Sequence, residues 1–341
     1  MADSLVINDT NYAGTFASYF WLPATFGMDT VQKGGVYIQD GIKKQHTIGR
    51  IDFSQPLQQR AATPTTSGTF TIDGRTLEPL DLMLYTEFNP RQFETYWLAE
   101  QLSPTLLARE LPLTVENYMI QIGLNRMFEQ IETGLWMGST TYTAAPGTTG
   151  NGQICFFDGF LKKMMNDAAV MANAVPSPYP LSVADSDNAT VYNIVDALNA
   201  LLHQCATTKK SLLSRPSRYE RLKFFVSINT EQIYQTYITT TQQFKGVNTT
   251  DKGINKFKGY EIVPLAGLPD DTIVFCEGLA DTTSNLYVGM NSTEDNALQL
   301  MRLQNNSELF FLKGLMKYDV QYGFSDEIFL FTTLQASAFN A

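Results

Sequence analysis

The sequence has little with which to do covalent chemistry. Its 341 residues include two histidines and three cysteines. His46 and His203 are the only side chains that ordinarily change charge near neutral pH. Neither has a Cys, His or carboxylate neighbour at metal-ligand spacing. Cys155, Cys205 and Cys276 are widely spaced and odd in number, which argues against both a disulfide framework and a CxxC metal pair. No Gly-x-Ser-x-Gly elbow, phosphate-binding P-loop or Gly-x-Gly-x-x-Gly run is present. The glycine-rich GTTGNG at 147–152 has the wrong spacing and no following lysine. No catalytic residue, cofactor or metal site is expected.

Charge is scarce too. Charged residues make up 17% of the chain, against roughly a quarter in ordinary soluble domains. Thr, Asn, Gln, Ser and Tyr take their place, which suits a surface that neighbouring subunits cover. Long hydrophobic runs are missing: stretches such as LFFL at 309–312 are far too short to cross a bilayer. The opening MADSLVINDTNY has no cationic segment leading into an apolar one, so no signal peptide is expected. The sequence reads as a soluble protein made in a reducing cytoplasm. With 24 basic and 34 acidic residues the net charge is -10. That balance argues against tight wrapping of nucleic acid by this chain alone. What is plentiful is apolar residues, 44%, enough for one large or two modest domains.

Residues 1–33 mix aromatics, among them Tyr19, Phe20 and Trp21, with no regular period, and read as an arm that packs on something else. From 35 to 53, β-branched residues and glycine punctuation predict strands. TFTIDGRTLEP predicts a hairpin turning at Asp73-Gly74, with DLMLYTEF as a further strand, so that 54–88 projects from the body. A lone hairpin is marginal in water and needs a partner surface. Residues 114–138 predict the strongest helix, capped by Thr114, closed by Gly138, and carrying a stripe of Val115, Met119, Ile122, Phe128, Ile131 and Leu135. A second helix opens near Asp158. Three prolines within 176–180 mark a boundary. A helix over 190–206, a buried strand over 221–228 and a helix started by Asn229 and Thr230 come next, then short strands to the C-terminus.

Two charged stretches stand out. Residues 209–223 carry Lys209, Lys210, Arg215, Arg218, Arg221 and Lys223 against Glu220 alone. They read as a salt-bridging subunit contact, an exposed loop or a phosphate site. Residues 259–301 hold seven acids and no base, and Asp270, Asp271, Glu277 and Asp281 are expected on a solvated face.

This order of parts resembles the major capsid proteins of tailed bacteriophages with the HK97 fold. The resemblance rests on VYNIVDALNALLHQC (191–205), FFVSINTEQIYQTYI (224–238), KGYEIVPLAGLPDDTIVFCEGLADTTSNLYVGMN (258–291) and LFFLKGLMKYDVQYGFSDEIFLFTT (309–333). It implies an α+β fold with an N-arm at 1–33 and an extended E-loop hairpin with flanking strands at 34–113. A peripheral (P) domain would take 114–185 and 303–341, with its spine helix at 114–138, and an axial (A) domain 186–302. The chain would then be a non-enzymatic shell subunit, forming hexamers and pentamers around packaged double-stranded DNA that it contacts weakly. Other partners would be a separate scaffolding protein, a portal and decoration proteins. Assembly would take place in the host cytoplasm, away from any membrane.

The resemblance puts subunit contacts at the E-loop tip, Thr69, Phe70, Ile72, Asp73, Gly74 and Arg75, and on the N-arm at Tyr19, Phe20 and Trp21. Some members lock their shells by an isopeptide bond from an E-loop lysine. No lysine lies between His46 and Leu161, so a non-covalent shell is expected. Some members also begin with a long helical scaffolding segment, and the N-terminal stretch here is too short for one. Two other readings stay open: an encapsulin-like nanocompartment shell, and a β-rich carbohydrate-active protein stacking sugars on Trp21, Trp97 and Trp136.

Overall fold

The computed structural model describes residues 10–13, 28–53, 57–60, 62–63, 65–66, 68–89, 113–142, 154–184, 190–240, 255–291, 297–303 and 309–339. The N-terminal half holds β1 (Thr10–Ala13), α1 (Asp29–Gly34), β2 (Tyr37–Gln39), β3 (His46–Phe53), β4 (Phe70–Leu77), β5 (Leu80–Phe88) and α2 (Leu113–Met137). Next come α3 (Phe160–Met165), α4 (Ala168–Ala172), β6 (Val175–Pro176), β7 (Leu181–Ser182), β8 (Tyr192–Asn193), α5 (Ile194–Thr208), α6 (Lys210–Leu213) and α7 (Arg218–Arg221). The last part runs β9 (Leu222–Ser227), α8 (Ile228–Thr240), β10 (Lys256–Phe257), β11 (Tyr260–Leu265), β12 (Thr272–Glu277), β13 (Leu286–Met290), β14 (Ala297–Arg302), β15 (Phe310–Tyr322) and β16 (Phe329–Thr332).

Two sheets organise these elements. In the first, the 13-residue β15 is the axis. β5 runs antiparallel along it from Phe310↔Phe88 to Tyr318↔Leu80, while β14 pairs with its first half and β13 with its second. β1 adds to β14 and β2 adds parallel to β13. The second sheet has the order β10-β11-β9-β12-β16-β6.

Both faces of the second sheet are buried. Successive side chains of a strand point to opposite faces, and here each face feeds a different core. Phe224, Val226, Ile273, Phe275, Phe329 and Phe331 pack with Leu198 and Leu201 of α5 and Tyr234 of α8. Their neighbours Phe225, Val274, Cys276 and Leu330 join Ile131, Leu135 and Trp136 of α2 in the other core. Near-continuous apolar strands follow from this double burial. Emptying one such position, as in Phe225→Ala, costs about 3–5 kcal/mol.

The strut α2 has 25 residues, a length of about 37 Å at 1.5 Å per residue. Its buried face is Ile120, Leu124, Met127, Phe128, Ile131, Leu135 and Trp136. Ile122, expected on that stripe, is 43% exposed, because the face follows residues 120, 124, 127 and 131 and Ile122 lies off it. Thr114 sits inside the first turn rather than capping it, since the helix begins at Leu113. Gly138 closes the helix: its N–H donates to the Gly134 carbonyl at 2.9 Å.

Several other expectations are corrected. The hairpin does not turn at Asp73-Gly74. Those residues lie inside β4, which pairs antiparallel with β3 from His46↔Leu77 to Phe53↔Phe70, so the connection runs from Phe53 to Phe70. An Asp-Gly pair permits a tight turn, but here eight consecutive cross-strand pairs form without it. The following strand, β5, belongs to the first sheet rather than to the hairpin. Residues 28–33, expected within the arm, enter the core: Met28, Thr30 and Val31 are buried. The helix α8 starts at Ile228, and its cap is Ser227, whose Oγ accepts from the Thr230 N–H at 3.1 Å. Strands β13 and β14, expected in the unit spanning 186–302, pair in the first sheet, while β16, expected in the other unit, pairs in the second.

Candidate functional site

Among the described side chains of the β3–β4 ribbon, Ile48 and Leu77 at its root are buried. Further out, Phe70 is 66% and Ile72 78% exposed, and both lie on one face because they are two residues apart. Leu57, in the connection, is 93% exposed. Met83 and Tyr85 of β5 extend the exposed apolar surface. Thr69 is also exposed, Asp73 stands opposite Arg50, and Gly74 stands opposite Gly49. A Cβ on Gly74 would sit 2.7 Å from Thr47 Cγ2. Thr69, Phe70 and Ile72 therefore lie at the outer end of the ribbon, whereas Asp73, Gly74 and Arg75 lead back along its stem.

Arg75 has a different job from the one expected of a tip residue. It forms an ion pair with Asp167, the N-cap of α4, and its guanidinium lies 4.4 Å over the Tyr322 ring. Burial alone would raise the Asp167 carboxyl. Hydrogen bonds from the Ala169 N–H, Arg75 and Tyr322 outweigh it and hold the group below its usual range. One residue pair away, Asp319 accepts from the Glu78 N–H at 3.0 Å and from Lys163 Nζ at 2.9 Å. Burial wins at Asp319 and raises its pKa despite Lys163. The Gln321 amide donates to the Thr76 carbonyl at 3.0 Å. The ribbon is thus fixed by polar contacts at its root while its outer face stays apolar and open.

The basic stretch is mostly neutralised within the chain. Lys209 pairs with Asp326. Arg215 bridges Glu277 at 2.8 Å and Glu327 at 2.6 Å, and Arg221 reaches Glu277 at 3.5 Å. Lys223 pairs with Glu261 at 3.2 Å. Lys209, Arg215 and Arg221 thus each face a carboxylate of their own chain. Glu277 is buried rather than on a solvated acidic face, because the two arginines compensate it. Asp270 accepts from Ser227 Oγ and Asp271 from the Leu181 N–H, so both tie loops together. Lys210 is exposed, and Arg218 borders a hollow described below. Tyr19, Phe20, Trp21 and the GTTGNG loop lie outside the described residues.

No protein-family model and no curated protein matches the sequence. Solved structures do. A chain of the satellite phage P4 procapsid, solved with its size determination protein, aligns with a TM-score of 0.57 at 11% identity, over 93% of this chain and 90% of that one. The capsid of a native GTA particle gives 0.53 at 10%, over 89% of each chain. The capsid of Myoviridae phage XM1 gives 0.51 at 12%, over 90% and 92%. The chain has the HK97 capsid fold.

Within the HK97 fold found here, sequence reading missed the root of the ribbon. Lys163 and Asp167 come from one stretch and Asp319 and Tyr322 from another, and no local pattern links either to Arg75. One signal was available: Asp319 is the one acid in the largely apolar stretch LFFLKGLMKYDV, and a buried carboxylate there needs a partner. Among the described residues no group of three or more His, Cys, Asp or Glu could hold a metal ion. No helix among them is long and apolar enough to cross a membrane.

Proposed function

We propose that this protein is the major capsid subunit of a tailed bacteriophage, self-assembling into an icosahedral shell around packaged double-stranded DNA. The observation that carries the reading is the β3–β4 ribbon, which exposes Phe70 and Ile72 on a fold shared with assembled capsids. Exposed apolar residues on a two-stranded ribbon cost solubility unless a neighbour covers them. Repeating that modest contact around closed rings of five and six gives collective stability without one strong interface. The ribbon is the E-loop, α2 the spine helix, and the first and second sheets centre the P and A domains. Tyr19, Phe20 and Trp21 add N-arm contacts.

The role is structural rather than enzymatic, and the shell is held without covalent cross-links. A separate scaffold, a portal and decoration proteins complete the particle, with assembly in the host cytoplasm and weak, sequence-independent contact with DNA. The nanocompartment and carbohydrate-active readings have no observation in their favour.

Negative-stain electron microscopy with light scattering tests the reading. Shells, tubes or rings of five or six are expected from the purified chain, and a Phe70→Ser/Ile72→Ser variant is expected to fold normally and lose them. A wild-type monomer near 38.1 kDa, persisting at high concentration with crowding agent added, overturns it.

A further inference from the structure

Between α5, α7 and the β10–β11 turn lies a hollow of ≈ 550 Å³. Its walls include Leu202, Leu213, Tyr219 and Tyr260, and its rim carries Arg218, Lys258 and the exposed His203. The hollow is built by the fold. Lys258 and Gly259 turn the chain with φ of 49° and 91°, and a Cβ on Gly259 would lie 2.6 Å from the Tyr219 ring. Tyr219 packs against Tyr260 with ring centroids 5.2 Å apart and planes tilted by 53°, and accepts a 2.6 Å hydrogen bond from Arg218. Lys258 Nζ donates to Asn199 Oδ1.

Arg215, Arg221, Lys209 and Lys223 all have carboxylate partners within the chain. Arg218 and Lys258 have none among the described residues; they bond a carbonyl, a phenol and an amide. Two uncompensated cations beside aromatic and aliphatic walls match a carboxylate flanked by an apolar side chain. A nucleic acid strand is the poorer fit, because it needs a row of cations along its backbone.

We infer that this hollow receives an acidic segment of a second copy of the same chain. The inference rests on the shell reading, which holds copies side by side at high effective concentration. Every copy carries an excess of acid, -10 overall, so a neighbouring copy has carboxylates to offer these cations. Arg218 and Lys258 then act as a registering contact between subunits, with Tyr219 covering the apolar part of the inserted segment.

The test uses natural-abundance and nitrogen-15 chains assembled together and treated with a zero-length carbodiimide. The expected product is an amide between Lys258 and an Asp or Glu of a chain bearing the other label. In parallel, Arg218→Glu/Lys258→Glu is expected to keep the wild-type melting temperature and lose particles about tenfold or more. Particles in which Lys258 is coupled only within its own chain, or not at all, overturn the inference. So does a variant that assembles as well as wild type; if it also retains less DNA, the hollow belongs to nucleic acid. A wild-type chain that never assembles overturns the shell reading and this inference with it.

Discussion

Arg75 on the ribbon and Asp167 at the start of α4 form an ion pair, and the guanidinium carbon lies over the Tyr322 ring, 4.4 Å from its centroid. The contact joins two segments far apart in the chain, and it sits where the projecting ribbon meets the body. Arg75→Ala is expected to lower stability by about 1–3 kcal/mol, the range for hydrogen bonds to charged groups. Arg75→Lys should restore only part of it, since an ammonium can neither stack on Tyr322 nor present a planar fork. Thermal unfolding of the three proteins checks this; equal melting temperatures would refute the anchoring role.

Glu132 is buried on α2 and receives the Thr30 N–H at 3.1 Å, the Thr30 hydroxyl, and a hydrogen bond from the Gly267 N–H. Trp136 Nε1 donates to Thr30 Oγ1 at 2.9 Å. Burial raises the Glu132 pKa, and the hydrogen bonds only partly offset that rise. A carboxyl raised in the folded state binds more protons there than in the unfolded chain. Its contribution is therefore complete below the ordinary glutamate value and lost as pH climbs through the raised one. Urea unfolding between about pH 4 and about pH 8 should show wild type losing stability relative to Glu132→Gln as pH rises. Parallel curves would count against the assignment.

Gly267 packs against α2 so closely that a Cβ would lie 2.2 Å from the Glu132 carbonyl oxygen. Gly267→Ala must push a loop away from a helix backbone and is expected to cost about 3 kcal/mol, the upper part of the overpacking range. Gly41, at φ 77° with nothing within 4 Å of a built Cβ, supplies the contrast. Gly41→Ala meets only the left-handed backbone penalty, about 1–2 kcal/mol. Denaturant midpoints of the two variants should rank in that order.

The regular elements were largely legible because their signals are local. Helical spacing over 114–138 and the apolar stretch at 221–228 mark elements that formed at Leu113–Met137 and Leu222–Ser227. Pairing was not legible. Asp73-Gly74 satisfied every local rule for a turn, yet the partner of 70–77 lies upstream at 46–53, a choice made by cross-strand contacts. The same limit hid which sheet received β13, β14 and β16. Of the residues that the resemblance put at the tip, Phe70 and Ile72 are exposed. The role of Arg75 depended on Asp167 and Tyr322, some ninety residues and more downstream.

The second sheet lends one face to each of two cores, and this governs how the molecule comes apart. Phe224 and Phe225 are chain neighbours that report to opposite sides of it. Loosening the side toward α5 and α8 strips one face from the strands that α2 needs, and the reverse holds equally. Neither half can melt first and leave the other intact, so heat or denaturant should dismantle the body of the subunit in one cooperative step. A change at a surface of either sheet is then felt as a change in the whole subunit.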